Sequence, residues 1–291
     1  MIDLRELERF CDAAAHLKVL VIGETIIDEF VSVQYEGQSM KSMCPVLKLE
    51  NEVVRQHGGA EAIANHLRGF VKSVEMITNE KDEIVKTRYM DINDAKKHVE
   101  INKFITKSFP KCEILGKSYD LVICADFGHG FFDNITLENG FHLMCQTNSN
   151  NFGFNRISKW KKYRKKSVCL DLREASLQMN RRINFPKEHE IFEIFNYEIN
   201  SDCMFVTTGK EGACYTDGAS FVKQDSFKAE IVDTIGAGDT FFAFASLCSS
   251  LPNLGNPLLI PSLAASLSTT WLCNEQSVTK EKLINHAARY L

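Results

Sequence analysis

Short apolar runs rich in β-branched residues recur along the chain, separated by stretches of helical or mixed periodicity. Val19 to Ile22, Val74 to Thr78, Leu121 to Ala125, Phe141 to Gln146, Val168 to Leu172 and Met204 to Thr207 each read as a strand. Those without polar alternation fit strands covered on both faces of a parallel sheet. Helices are expected in the first eighteen residues, in AEAIANHLRGF after Gly58 and Gly59, over Ser158 to Lys166 and over Arg173 to Arg182. Further helices are expected in FFAFASL after Gly238 and around Pro257–Cys273 and Thr279–Tyr290, with two or three short strands before Asp233. Two regions differ. Glu29 to Glu50 mixes polar and apolar residues and reads as a half-exposed hairpin turning at Gly37, and Ile84 to Tyr89 with Val99 to Phe104 reads as a second exposed pair. Strands alternating with helices predict an α/β sheet with helices on both faces. The two mixed pairs predict a small sheet beside it.

Composition changes this picture little. At 291 residues, 44% hydrophobic and 25% charged, the chain can bury a large core without disulfides or a structural metal. A formal charge of −4, from 34 basic and 38 acidic residues, does not favour nucleic acid as a partner. The 10 cysteines form no C-x-x-C pair, and several sit in apolar runs such as LVICAD and SVCLDL, as reduced thiols of a cytoplasmic protein would. The 8 histidines form no zinc-binding pattern. The N-terminal residues carry charges throughout, unlike a signal peptide, and no stretch reaches the ~18 apolar residues that suggest a membrane span.

The segment richest in chemistry is Asp233-Thr-Ile-Gly-Ala-Gly-Asp-Thr240. It predicts a strand end, a tight turn of small residues and a helix start. Gly236 and Gly238 let a ligand approach the backbone, and the first amides of the helix lack intrahelical acceptors and carry positive potential. That is an anion site suited to a phosphoryl group. Asp239, at the same helix start, can take the proton of an attacking hydroxyl. A bare G-A-G-D would serve equally as a packed helix start with Asp239 as a cap; its position late in an α/β chain favours the chemical reading.

DTIGAGDTF resembles the D-T-x-G-A-G-D signature of the ribokinase-like (PfkB) carbohydrate kinases. The resemblance implies a three-layer α/β/α sandwich over residues 1–291 with a small β-sheet lid, its strands within about 31–49 and 84–105. It implies Asp239 as the catalytic base and the amides of Gly236, Ala237 and Gly238 as the anion hole, with ATP and Mg2+ as cofactors. VLVIGETIIDEF is similar to the family's opening, which puts Asp28 on the sugar. Gly58-Gly59 matches a Gly-Gly pair whose backbone approaches the substrate, although Ala62 stands where the family usually carries an Asn that binds sugar hydroxyls.

Asp126-Phe-Gly-His-Gly130 resembles the D-Y-G-K-G strand end of heptose-phosphate kinases, with His129 for Lys, which puts Asp126 among the expected substrate-binding residues. Asp171 and Glu174 keep the spacing of the family's N-x-x-E, which organises magnesium through waters, with Asp for Asn; the same pair would also make a helix cap and first-turn Glu. Thr207, Gly209 and Gly212 match the T-x-G-x-x-G segment near the nucleotide, where Thr234 is also expected. Asn148, in the amide-rich loop after a strand end, is a candidate for sugar hydroxyls or for a plain polar loop. Lys86 and Arg88 on the lid strands could meet a substrate phosphate, or could blunt a solvated edge. The basic run from Lys159 to Lys166 reads as a solvated helix face with Trp160 and Tyr163 turned inward.

The resemblance therefore implies transfer of phosphate from ATP to a sugar or sugar phosphate, heptose-phosphate-like in its motifs. A nucleotidyltransferase partner for activated-sugar synthesis would lie outside this sequence, which has no H-x-G-H motif. A homodimer through the lid strands is a further expectation. A catalytically silent nucleotide- or sugar-binding regulator on the same fold is the alternative. A dinucleotide oxidoreductase is disfavoured because the first strand ends in Gly23-Glu-Thr rather than G-x-G-x-x-G.

Overall fold

A computed structural model describes residues 4–80, 84–94, 96–104, 112–114, 118–147, 151, 153–184, 186–197, 199–251 and 254–291. In chain order the strands are β1 (Lys18–Gly23), β2 (Thr25–Gln38), β3 (Pro45–Gly59), β4 (Ser73–Ile77), β5 (Ile84–Asp91), β6 (Lys97–Phe104) and β7 (Cys112–Ile114). They continue with β8 (Leu121–Asp126), β9 (Ile135–Leu137), β10 (His142–Cys145), β11 (Lys165–Asp171), β12 (Ser201–Thr207), β13 (Ala213–Thr216) and β14 (Phe221–Gln224). The helices are α1 (Leu4–Ala14), α2 (Ala60–Arg68), α3 (Leu172–Gln178), α4 (Glu188–Asn196), α5 (Ala237–Ser250), α6 (Leu259–Ser268) and α7 (Lys280–Ala287).

Eight strands form the main sheet in the order β14-β13-β12-β11-β10-β8-β1-β4. Its pairs from β4 to β12 are parallel, and β13 and β14 add antiparallel at one edge. Because side chains alternate across a strand, each central strand feeds two cores. Val19, Val21, Ile123 and Phe205 point to one face, where they meet Phe10, Ile63, Phe242 and Leu263 from the helices on that side. Leu20, Ile22, Val168 and Met204 point to the other, against Trp160, Ile191 and Ile194. This is the three-layer α/β/α arrangement expected. It leaves the carboxyl ends of the parallel strands open on one side, where ligands of such sheets bind.

A four-stranded sheet, β3-β2-β5-β6, rises from that side as the lid. Its first hairpin is longer than expected. Gly37 lies inside β2 next to an irregular register at Tyr35, and the connection falls at 39–44. Strand β5 is not an exposed edge: it sits between β2 and β6, and Ile84, Val85, Lys86, Arg88 and Asp91 are buried.

Two other expectations fail. Residues 158–166 do not form a helix. Ile157–Trp160 makes one 3-10 turn and Lys165 begins β11. The i, i+3 spacing of Trp160 and Tyr163 imitates a helix stripe, but both rings meet Phe141 edge to face instead, with centres 5.7 Å apart in each pair. Lys165 is fully buried, donating from Nζ to the carbonyls of Trp160 and Tyr163 at 2.9 and 2.8 Å. Nor does a strand precede the glycine turn: β14 ends at Gln224, and 225–236 runs without regular structure. Helix α4 and the short parallel pair β7 and β9 were not foreseen.

Candidate active site

A cleft of about 1080 Å³ lies between the lid and the strand ends. At its centre is the start of α5. Gly236 takes a left-handed φ of 83°, and a Cβ there would stand 2.5 Å from Asn274 Oδ1, so both the conformation and the space require glycine. The Gly236 carbonyl accepts from the Thr240 amide at 2.9 Å, which fixes the first turn. The amides of Ala237 onward thus begin a fourteen-residue helix whose open end faces the cleft. Asp239 lines the cleft in that turn, 8% exposed. Burial, and secondarily the charge of Asp28, push its carboxyl up to about 7, against the pull of Lys86 and an amide hydrogen bond from Gly59.

The lid supplies one end of the cleft with side-chain charge. Asp28 on β2 pairs with Arg88 on β5, both nearly buried, and Arg88 Nε also reaches Glu100 at 2.9 Å. Lys86, two residues along the same face, is buried beside them but makes no hydrogen bond or ion pair within the described residues. Burial lowers its pKa, while the carboxylates of Asp28, Glu100 and Asp239 oppose that. Gly59 lines the cleft at the start of α2 with a φ of 63°, where a Cβ would meet the Glu24 carbonyl at 2.3 Å. Gly58 stands behind it, against the Asp28 carboxylate.

The opposite end combines turn backbone with the side chains of Lys210 and Lys228. Thr207, Gly209 and Gly212, from the end of β12 and the turn after it, line it with Thr234 and the α6 residues Ala265 and Ser266. Asp171 and Glu174 form the wall between the ends. They make a reciprocal capping box: the Glu174 amide donates to Asp171 Oδ1 at 2.7 Å and the Asp171 amide to Glu174 Oε2 at 2.8 Å. Glu174 Oε1 also accepts from the Thr147 amide at 3.1 Å. Burial, with the charge of Asp171, raises the Glu174 carboxyl well above its usual range. The pair is a helix cap, and exposed Asp171 also lines the cleft. No cluster of three or more His, Cys, Asp or Glu suited to a metal occurs among the described residues.

Asp126 is not part of the cleft lining. Trp160 Nε1 donates to its Oδ2 at 2.8 Å, Lys159 Nζ lies 2.6 Å from the same oxygen, and the Gly128 amide donates to Oδ1 at 3.0 Å. Its carboxylate holds the loop, so Asp126 does not face the cleft as a substrate contact would. The loop's other anchor, missed in the sequence, is Glu24: fully buried, it accepts from the amides of Phe127, His129 and Phe131 at 2.5, 2.9 and 3.3 Å. Burial and neighbouring Asp126 push it up to about 8. His129 packs against Phe104 of the lid, ring centres 5.7 Å apart. Asn148 lies outside the described residues. Asn274 was also missed. Its Nδ2 lies 3.4 Å from Asp28 Oδ2, its amide donates to Gln56 at 2.7 Å, and its Oδ1 abuts Gly236, so it ties the lid end to the glycine turn. No motif marked it.

Residues 147–258 match the model of the pfkB family carbohydrate kinases. The chain is 39% identical over 84 residues to a ribokinase of Lactococcus lactis and 38% identical over 91 residues to one of Bacillus subtilis. These matches span 28% and 31% of the relatives' lengths, and 25% and 28% of this chain. The whole fold has counterparts among solved structures. A ribokinase of Thermotoga maritima superposes with a TM-score of 0.66 at 14% identity, over 94% of this chain and 99% of that one. A nucleoside kinase of Methanocaldococcus jannaschii, described as an archaeal member of the ribokinase family, gives 0.64 at 14% identity, over 95% and 99%. A ribokinase of Cryptococcus neoformans solved with ADP gives 0.61 at 15% identity, over 95% and 100%. The fold is the ribokinase fold.

Proposed function

We propose that this ribokinase-fold chain is an ATP-dependent carbohydrate kinase that phosphorylates a hydroxyl of a sugar or sugar phosphate. One observation carries the reading: a buried carboxylate, Asp239, sits in the first turn of α5 beside the amides of Gly236, Ala237 and Gly238, midway between the two ends of one cleft. The match of 147–258 to the family model supports it, since that segment contains the turn.

ATP would occupy the end formed by Thr207, Gly209, Gly212 and Thr234. Its γ-phosphoryl group would face the start of α5. The acceptor hydroxyl gives its proton to Asp239 and attacks phosphorus as the bond to the leaving ADP oxygen breaks. The helix amides stabilise the charge on the transferring group. A base pushed up to about 7 is poised to accept that proton near neutrality. Magnesium, when bound with ATP, would neutralise phosphate charge. The residues fit a water-mediated role: Asp171 has an exposed carboxylate on the cleft, while Glu174 is occupied by two amides and holds Asp171 in place.

Asp28, Gly59 and Asp239 would frame the acceptor. Lys86 is the cation left to meet a phosphate on a heptose-phosphate-like acceptor, because Arg88 is already shared by Asp28 and Glu100. A nucleotidyltransferase partner and pairing through the lid belong to the same reading. Ala62, buried in α2, offers no sugar contact and favours the regulatory alternative.

Asp239→Asn separates the two. The kinase reading expects turnover to fall about a hundredfold or more while the fold and nucleotide binding persist. Near-normal turnover removes Asp239 from the base role. A wild-type chain that consumes no ATP with any sugar or sugar phosphate supports the regulator.

A further inference from the structure

The lid reaches the core at a point that the transfer reading leaves unexplained. Lys97, first residue of β6, extends its ammonium to the Asp233 carboxylate at 3.0 and 3.1 Å. Asp233 is 8% exposed and opens the glycine turn. The same Oδ1 accepts from the Thr234 amide at 2.8 Å and the Ile235 amide at 3.2 Å. One buried carboxylate therefore does two things: it shapes the two residues leading into Gly236, and it receives a cation from the lid. A carboxylate so placed needs its charge answered, and removing the partner of a buried charge is costly.

The lysine is presented rather than merely nearby. The β5–β6 turn that carries it is tied by Asp91, whose Oδ2 accepts from the Tyr35 amide at 2.6 Å and whose Oδ1 accepts from the Asn93 amide at 2.8 Å. The Asp91 amide in turn donates to the Lys96 carbonyl at 2.9 Å. The next residue, His98, stacks on Tyr35 with ring centres 4.7 Å apart and planes 12° from parallel. The Lys97 ammonium lies 5.9 Å from the ring centre of Phe30, a buried residue of β2.

We propose that Lys97 is a positioning residue that latches the lid to the turn shaping the anion hole, so that lid docking and ordering of the phosphoryl site occur together. The proposal rests on the kinase reading. When the lid is down, Asp233 is charge-paired and holds Thr234 and Ile235, and Gly236 to Asp239 are set. When the lid lifts, the carboxylate loses its cation, the turn loosens, and ATP meets a poorly formed anion hole while water has access. The latch thereby discourages transfer of phosphate to water before the acceptor is enclosed.

Lys97→Met keeps an unbranched side chain and removes the charge. It is expected to lower kcat by about tenfold to a hundredfold with little change in KM for ATP, as loss of alignment does. Lys97→Arg should retain most of the rate. Asp233→Asn should lose a comparable factor, and the double variant should be no slower than the slower single one, because both remove one interaction. Hydrogen exchange at Thr234 and Ile235, free of any need for substrate, should quicken in Lys97→Met. Wild-type kcat in Lys97→Met, additive losses in the double variant, or unchanged exchange would each overturn the latch. Should the wild-type chain transfer no phosphate, the kinase reading falls instead. Exchange then decides the contact alone: unchanged rates at 234 and 235 reject it, and faster rates uphold it.

Discussion

The two ends of the cleft are made of different material. At the sheet end the cleft is lined mostly by turn backbone and by small or apolar side chains, from Thr207, Gly209, Gly212, Thr234 to Gly238 and the flank of α6, with the separate cations Lys210 and Lys228 beside them. At the lid end it is a network of charged side chains from separate strands, with Asp28, Lys86, Arg88 and Glu100 in mutual contact or field and Asn274 closing the gap to the glycine turn. A backbone site depends on a few residues being absent of bulk. A side-chain network depends on every member being present. The first tolerates change outside its glycines; the second fails when one partner is withdrawn.

The sharpest way to break this contrast is at the lid end. Arg88→Met leaves Asp28 buried without its main cation, with Asn274 and the field of Lys86 as partial substitutes. Breaking a buried pair from one side is expected to cost about 3 kcal/mol in stability. Chemical denaturation should show that loss. Nucleotide affinity at the far end should be nearly unchanged, while KM for the acceptor rises. Equal losses of both affinities would mean the ends are not independent.

At the sheet end the matching change is Gly236→Ala. A methyl group there meets Asn274 Oδ1 at 2.5 Å and forces a side chain into φ of 83°. The helix amides move relative to the phosphoryl group, and turnover should fall about a hundredfold, the scale of losing one anion-hole donor. Steady-state kinetics with ATP as the varied substrate reads this. A loss under about threefold would mean the amides do not carry the charge.

The same division explains what the sequence disclosed. The buried strands announced themselves because their apolar runs are continuous, and the glycine turn because its local composition is itself the feature proposed to bind phosphate. Gly58-Gly59 and T-x-G-x-x-G were legible for the same reason. The lid network was not. Lys86 and Arg88 could be named as charged residues on mixed strands, but their burial follows from β5 lying between β2 and β6, a pairing that no local pattern encodes. Asp126 misled because a strand-end Asp in a glycine loop looks the same whether it faces a ligand or, as here, Trp160 and Lys159. Asp233 sat in plain view as the first residue of the signature, yet its partner Lys97 is 136 positions away. Glu24 and Asn274 act through contacts to Phe127 and Gln56 that have no sequence neighbourhood at all.

Acid and base behaviour separates the ends next. Asp239 rises from an ordinary 3.8 to about 7 on folding, with burial the leading cause. A group whose folded pKa is raised stabilises the fold fully below its unfolded value and loses that contribution as pH climbs through the folded one. Stability from Asp239 should therefore decline between about pH 4 and pH 7, and Glu24, raised to about 8, extends the decline. Activity should move the other way. The base works only when ionised, so turnover should increase about tenfold per unit below pH 7 and level off above it. Nucleotide affinity, resting on backbone amides, should not follow that curve. A flat rate profile from pH 5 to 8 would mean that Asp239 does not gate proton transfer.

The smallest effect is also the most discriminating control. Glu29 follows Asp28 on β2, and because side chains alternate it faces away from the cleft. It too pairs with an arginine: Arg55 Nε lies 2.6 Å from its carboxylate, and Thr87 donates to its other oxygen at 2.9 Å. Drawn on paper the two pairs look alike, one residue apart on the same strand. Their surroundings differ. The Arg55 side chain is 53% exposed and that of Arg88 only 9%. The Arg55 guanidinium already faces water although Glu29 is only 16% exposed, and a pair open to solvent on one side is worth about 0.2–1 kcal/mol. Arg55→Ala should therefore shift stability by less than about 1 kcal/mol, lose most of even that at high salt, and leave acceptor KM unchanged. If it instead raised acceptor KM as Arg88→Met is expected to, burial would not be what distinguishes the faces of β2. The charge network would then have to be treated as a property of the whole lid rather than of its cleft side.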